Sequence, residues 1–85
     1  MNYTVDWTPP ALNQLAAVWL AAADRNAVTA ASHAVEQDLA DDPYARGIPV
    51  GSPQTRTTVE FPLGIDYEVV EDDNLVRILR VWSVV

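Results

Sequence analysis

The sequence predicts an α+β fold in the order β-α-α-β-β-β, with a helical hairpin packed on one face of an antiparallel sheet. Three observations predict it. Polar and apolar residues alternate at the N-terminus, apolar residues then recur at helical spacing, and Thr55–Val85 returns to β-type sequence broken by one polar turn. Helices grouped ahead of a strand meander segregate to one side of the sheet. The 85 residues form one domain, 1–85, and a chain of this length buries roughly 60–65% of its unfolded surface in one modest core.

Tyr3, Val5 and Trp7 alternate with Asn2, Thr4 and Asp6, the period of a strand with one buried face over residues 2–7. Thr8 stands at an N-cap, and Pro9 and Pro10 fill the first helical positions, where a missing N–H costs nothing. Leu12, Leu15, Ala16, Trp19 and Ala22 or Ala23 then mark a helix over about 9–23. Ala23-Asp24-Arg25-Asn26 is a tight polar connection, in which Asp24 or Asn26 caps a second helix over about 26–41. Its apolar face is Val28, Ala31, Val35 and Leu39. Asp42-Pro43 stops it, because the residue before proline avoids the α region.

Residues 43–54 hold Gly47, Gly51 and three prolines, which predicts an irregular crossover loop. Strands are expected over about 55–61, 63–71 and 75–84. Val59 and Phe61 share a face opposite Arg56, Thr58 and Glu60, while Ile65, Tyr67 and Val69 oppose Asp66 and Glu68. Strict alternation in the last strand groups Arg80 with Val76, Ile78, Trp82 and Val84. It places Arg77 on the other face with Leu75, Leu79 and Val81. Apolar residues on both faces mark an interior strand. Glu71-Asp72-Asp73-Asn74 is the hairpin turn.

Twelve acids face five arginines and no lysine, a net charge of −7. Such a field repels phosphate backbones, and direct nucleic-acid binding is disfavoured. With no cysteine there is neither a disulfide scaffold nor a thiolate metal site. The longest apolar run, Leu15–Ala23, has nine residues, against the ~20 that span a bilayer. No basic leader precedes Pro9 and Pro10, so a soluble cytoplasmic protein is expected. Neither a metal nor a cofactor is expected.

Residues spread along nearly the whole chain resemble the RelE/ParE superfamily of type II toxin–antitoxin modules. They are Trp7, Ala11-Leu12, Leu15 and Val18-Trp19, then Arg25 and Val28, then Val35 and Leu39 ahead of Asp42-Pro43 and Gly47. Arg56, Pro62-Leu63, Tyr67-Glu68-Val69, Asp72-Asp73 and Val76 to Val81 complete the series. The resemblance implies a toxin neutralised by a cognate antitoxin that wraps its surface. It also implies one of two targets. RelE-like members cut mRNA in the ribosomal A site with basic and tyrosine residues on the sheet and near the C-terminus, whereas ParE-like members act on DNA gyrase without that set.

The departures favour the ParE-like side, acting by protein binding rather than as an enzyme. Of the basic positions of the RelE-type second strand only Arg56 offers itself. Leu63-Gly64-Ile65-Asp66 leads into Tyr67 where an arginine is expected, and the basic residue expected after the last strand falls near Ser83–Val84. The distal tyrosine has no counterpart. Cleaving RNA requires cations to hold phosphate and stabilise the charged transition state, and Asp66 and Glu68 oppose that.

Arg56, Arg80 and Tyr67 are the candidate catalytic residues if the chain is a divergent ribosome-dependent ribonuclease; Arg56, Arg80 and Trp82 are the candidate partner contacts. The plainer explanation of both arginines is cross-strand ion pairing with Glu60, Asp66 or Glu68, worth about 0.2–1 kcal/mol each. By parity Arg77 faces away from that pair. His33, off the apolar stripe, fits a solvated helix position; Trp7, Trp19 and Trp82 fit core and seam positions. A non-toxic, repurposed homologue is a third reading that the acidity allows.

Overall fold

Each helix begins on a side-chain cap. In the computed structural model, which describes residues 2–85, the Thr8 hydroxyl accepts from the Ala11 amide at 3.4 Å and opens α1, Pro9–Ala21. The same hydroxyl donates to the Ile78 carbonyl at 2.7 Å, tying the helix start to the sheet. Asp24 accepts from the Ala27 amide at 3.1 Å and opens α2, Arg25–Asp41. These caps replace partners that the first-turn amides cannot find within a helix.

The strands are β1 (Thr4–Trp7), β2 (Ile48–Val50), β3 (Ser52–Glu60), β4 (Leu63–Val70) and β5 (Leu75–Ser83), in the spatial order β1-β5-β4-β3-β2. A single 3-10 turn, Glu71–Asp73, joins β4 to β5, and Asn74 follows it in the left-handed region at φ 47°. The α+β class and the helical hairpin over one sheet face are as the sequence predicts. Val28, Ala31, Val35 and Leu39 of α2 meet Leu63, Ile65, Tyr67 and Val69 of β4 and Val76, Ile78 and Val81 of β5 in one buried cluster.

Four details differ from the sequence reading. The sheet is mixed, not wholly antiparallel, because β1 lies parallel to β5, with Thr4 opposite Leu75 and Trp7 opposite Ile78. The helical hairpin carries the chain across the sheet face, so β1 is free to join the far edge in the same direction as β5. The expected loop 43–54 contains β2 and the start of β3, paired with Ile48 opposite Thr57. Pro49 is tolerated there because an edge strand leaves its outward side without a ladder partner.

Third, β5 carries a bulge. Asp66 pairs with Arg80 but Tyr67 pairs with Ile78, leaving Leu79 as the extra residue. One extra residue reverses the alternation, so Val81 joins the core. Arg77, Arg80 and Trp82 all lie on the outer face, correcting the separation of Arg77 from Arg80 that strict parity predicts. Fourth, Thr58 is buried opposite Ile65, whereas Val59 and Phe61 are 55% and 69% exposed. The β3–β4 register makes this assignment: it sets Arg56, Thr58 and Glu60 on the helix side with Tyr67, Ile65 and Leu63.

Candidate functional site

The register separates the two arginines that the sequence pairs. Arg56 sits opposite Tyr67 on the helix side, whereas Arg80 sits opposite Asp66 on the outer face. They do not form one surface.

Arg56 is spent on backbone. Its Nε donates to the Arg46 carbonyl at 3.1 Å and its Nη1 to the Pro53 carbonyl at 3.1 Å. Its Nη2 reaches the Gly47 and Tyr44 carbonyls at 3.2 and 3.4 Å, and the guanidinium lies 5.7 Å from the Tyr44 ring centre. A planar fork with five donors suits this divergent set of acceptors, which a lysine could not hold. The side chain thereby fixes the passage from α2 into β2 and β3. Gly47 belongs to the same arrangement: at φ +76° it passes so close to β3 that a Cβ would stand 2.6 Å from the Thr57 carbonyl oxygen.

Tyr67 is fully buried. Its hydroxyl donates to the Pro43 carbonyl at 2.7 Å and lies 2.9 Å from the Arg46 carbonyl. Burial pushes its ionisation upward, with Arg56 acting in the opposite direction. A phenol held this way closes the bottom of the loop rather than facing a substrate. Nearby, Glu71 gathers the Tyr3 hydroxyl at 2.8 Å and the Tyr44 hydroxyl at 3.1 Å. The Glu71 contact, with desolvation second, pushes Tyr3 up to about 12; for Tyr44 burial is the larger cause and Glu71 the next.

The outer face carries cross-strand charge pairs. Arg77 donates to Glu68 at 2.9 Å, and Arg80 lies 3.6 Å from Asp66. Arg80 also lies 5.2 Å from the centre of the Trp82 ring. That ring rests across Gly64, where a Cβ would fall 2.5 Å from Nε1 and 2.6 Å from Cζ2. Glycine within a strand is a sign of such an approach, and the sequence carried that signal. Ile48, Val59 and Phe61 leave an exposed apolar margin along the β2–β3 side.

The other arginines are engaged as well. Arg46 pairs with Asp38 and, at 2.9 Å, with Glu60. Arg25 donates to the Trp19 and Leu20 carbonyls at 3.2 and 3.0 Å and stacks 4.7 Å from the Trp19 ring centre. No cluster of unpaired guanidinium groups therefore exists among the described residues. His33 is exposed on α2. Among the described residues no group of three or more His, Cys, Asp or Glu side chains is arranged to hold a metal ion. Among the described residues no helix is long and apolar enough to cross a membrane.

Sequence reasoning singled out Arg56, Arg80, Tyr67 and Trp82. It did not single out Arg46 and Tyr44, whose roles depend on strands folding back on a segment that reads as irregular, or Gly64, whose place under the Trp82 ring follows from the β4–β5 register.

No protein-family model and no curated protein sequence matches the chain. Solved structures do. A chain of the toxin–antitoxin complex RelBE2 from Mycobacterium tuberculosis superposes with a TM-score of 0.80 at 22% identity, over 98% of this chain and 99% of that one. A mutant of the E. coli toxin RelE in the free state gives 0.72 at 15% identity, over 98% of this chain and 84% of that one. A chain of the chromosomal ParDE system from P. aeruginosa gives 0.67 at 23% identity, covering 98% and 97%. Coverage this complete at these TM-scores gives this chain the RelE/ParE fold.

Proposed function

We propose that this protein is the toxin-like component of a type II toxin–antitoxin module, acting ParE-like by protein contact and neutralised by a cognate antitoxin. The observation that carries the reading is the commitment of all five arginines to carboxylates or backbone carbonyls. Scission of RNA develops negative charge that preorganised cations must meet. Here Asp66 and Glu68 occupy the outer face and pair with Arg80 and Arg77 there, and Tyr67 is sealed beneath the loop. RelBE2 and ParDE are both toxin–antitoxin systems, which supports an antitoxin partner. DNA gyrase is the target that the ParE-like side implies.

Induced expression tests the proposal. Growth arrest is expected, relieved by co-expression of the small protein encoded beside this one, with which the chain co-purifies. Translated messages stay intact while purified gyrase loses supercoiling activity. Cleavage of messages at codon boundaries would overturn the proposal in favour of a ribosome-dependent ribonuclease. Unaffected growth, with no complex formed, would leave a non-toxic homologue.

A further inference from the structure

From Ala45 to Gln54 the chain passes through β2 and into β3 without burying a single residue. Ile48 and Val50 are 68% and 52% exposed, and the β2–β3 register jumps between Pro49 and Val50. Gly47 and Gly51 bracket β2, both in the left-handed region at φ 76° and 80°. The first three residues of β3 have no partner on β4, whose pairing starts at Thr55 opposite Glu68. The stretch is anchored outside itself: Pro43 is fully buried ahead of it, Tyr44 packs on the core, and Thr58 is buried after it.

What holds this stretch is polar. The Arg56 guanidinium grips both of its legs at once, the Tyr44, Arg46 and Gly47 carbonyls on the incoming side and the Pro53 carbonyl on the outgoing side. Tyr67 adds a second hold on the Arg46 carbonyl. The Arg46 side chain reaches across to Asp38 on α2, and to Glu60 and the Val59 carbonyl on β3. Opening exchanges each such bond for one to water, so its net worth is small, whereas ordering the backbone costs entropy at every residue. A segment held by exposed polar bonds, with no apolar burial of its own, opens at a lower free energy than the core.

We propose that residues 45–54 form a strap that opens as a unit while the rest of the fold stays intact, with Arg56 as its latch and the backbone change absorbed at Gly47 and Gly51. Closed, β2 covers the edge of β3 at Arg56 and Thr57. Pro49 then leaves the new outer margin short of a donor, one of the ways a sheet edge is protected. Open, the strap uncovers that edge, parts Arg46 from Asp38 and Glu60, and leaves the Arg56 guanidinium without its carbonyls. Closure therefore keeps two of the five arginines out of reach. The motion belongs to the free chain and does not depend on which target the protein has.

Native-state proteolysis of the purified full chain with trypsin tests this. The chain has no lysine and five arginines, of which only Arg46 lies within the strap, so a cut between Arg46 and Gly47, identified by mass, reports opening. Wild type is expected to be cut there in urea well below the global unfolding transition. The rate should rise little with urea, because a small opening exposes little surface. Arg56→Lys should raise that rate tenfold or more. Ile48 and Thr57 stand opposite each other in a chain without cysteine. Replacing both, Ile48→Cys with Thr57→Cys, and oxidising the pair should lower the rate tenfold or more, and reduction should restore it. A cut after Arg46 that appears only with global unfolding overturns the strap. So does a rate that neither Arg56→Lys nor the crosslink changes.

Discussion

Replacing Tyr67 by phenylalanine removes one oxygen and should separate a structural tyrosine from a catalytic one. The ring stays in a fully buried site, so no cavity of consequence opens. Two carbonyls are affected unequally. Arg46 keeps a donor, since Arg56 Nε lies 3.1 Å from its oxygen. Pro43 is itself fully buried and loses the 2.7 Å bond from the hydroxyl. The expected cost is one net hydrogen bond plus part of the penalty for an orphaned buried acceptor, about 1–2 kcal/mol. For a domain of this size each kcal/mol lowers the melting temperature by about 4–8 °C. Thermal unfolding followed by circular dichroism measures it, beside growth assays of the same variant at matched levels of folded protein. A loss of stability with undiminished biological effect is expected. Unchanged melting together with lost effect would refute the structural role and return Tyr67 to the catalytic list.

Arg56→Ala should cost about 1.5–3 kcal/mol, since charge-assisted bonds to several carbonyls go at once, and should speed amide exchange across residues 44–53. Arg56→Lys should recover little of it; full recovery would show that charge alone matters. Gly64→Ala puts a methyl inside the space of the Trp82 ring, and overpacking of this kind costs about 1–3 kcal/mol. The ring must lift from the sheet, so Trp82 emission should shift red, and an unaltered spectrum would count against the stacked geometry. Tyr3 supplies a pH dependence. Its ionisation is pushed up to about 12 from an ordinary 10.0, chiefly by Glu71. Below pH 10 both folded and unfolded chains keep the proton and the stabilisation is fully present. Between pH 10 and about 12 the unfolded chain sheds it first and stability falls. Tyr3→Phe should flatten the alkaline fall without removing it, because Tyr44 and Tyr67 are raised as well; an unchanged slope would contradict the Tyr3–Glu71 contact.

The acidic composition acquires a definite meaning from these contacts. Twelve carboxylates against five arginines would allow each arginine a partner and leave a surplus, but three of the five arginines, Arg46, Arg77 and Arg80, take carboxylates. Arg25 and Arg56 instead take backbone carbonyls and fix the helical elbow and the entry to β2. The surplus acid lies largely at the Glu71–Asp73 turn and at the C-terminal end of α2. Uncharged exposed surface remains on α1 and along the β2–β3 margin of Ile48, Val59 and Phe61.

Local signals in the sequence determined the local elements. Thr8 with two prolines, Asp24, and Asp42-Pro43 mark the helix ends because caps and proline act on neighbouring backbone alone. The alternation of Ile65, Tyr67 and Val69 placed β4 in the core for the same reason: period and face are fixed within one strand. Only the tertiary structure decided what depends on pairing. The edge strand β2 exists because β3 templates it, although Pro49 and two nearby glycines read as loop. The bulge at Leu79 turns Arg77 toward Arg80 and Val81 inward, and no residue type announces it. Arg56 and Arg80, one working pair by parity within each strand, stand on opposite faces because inter-strand register is a long-range property. A shift of one residue exchanges the faces of a whole strand, and register here is fixed by burial of Thr58, Tyr67 and Ile78 against the helices.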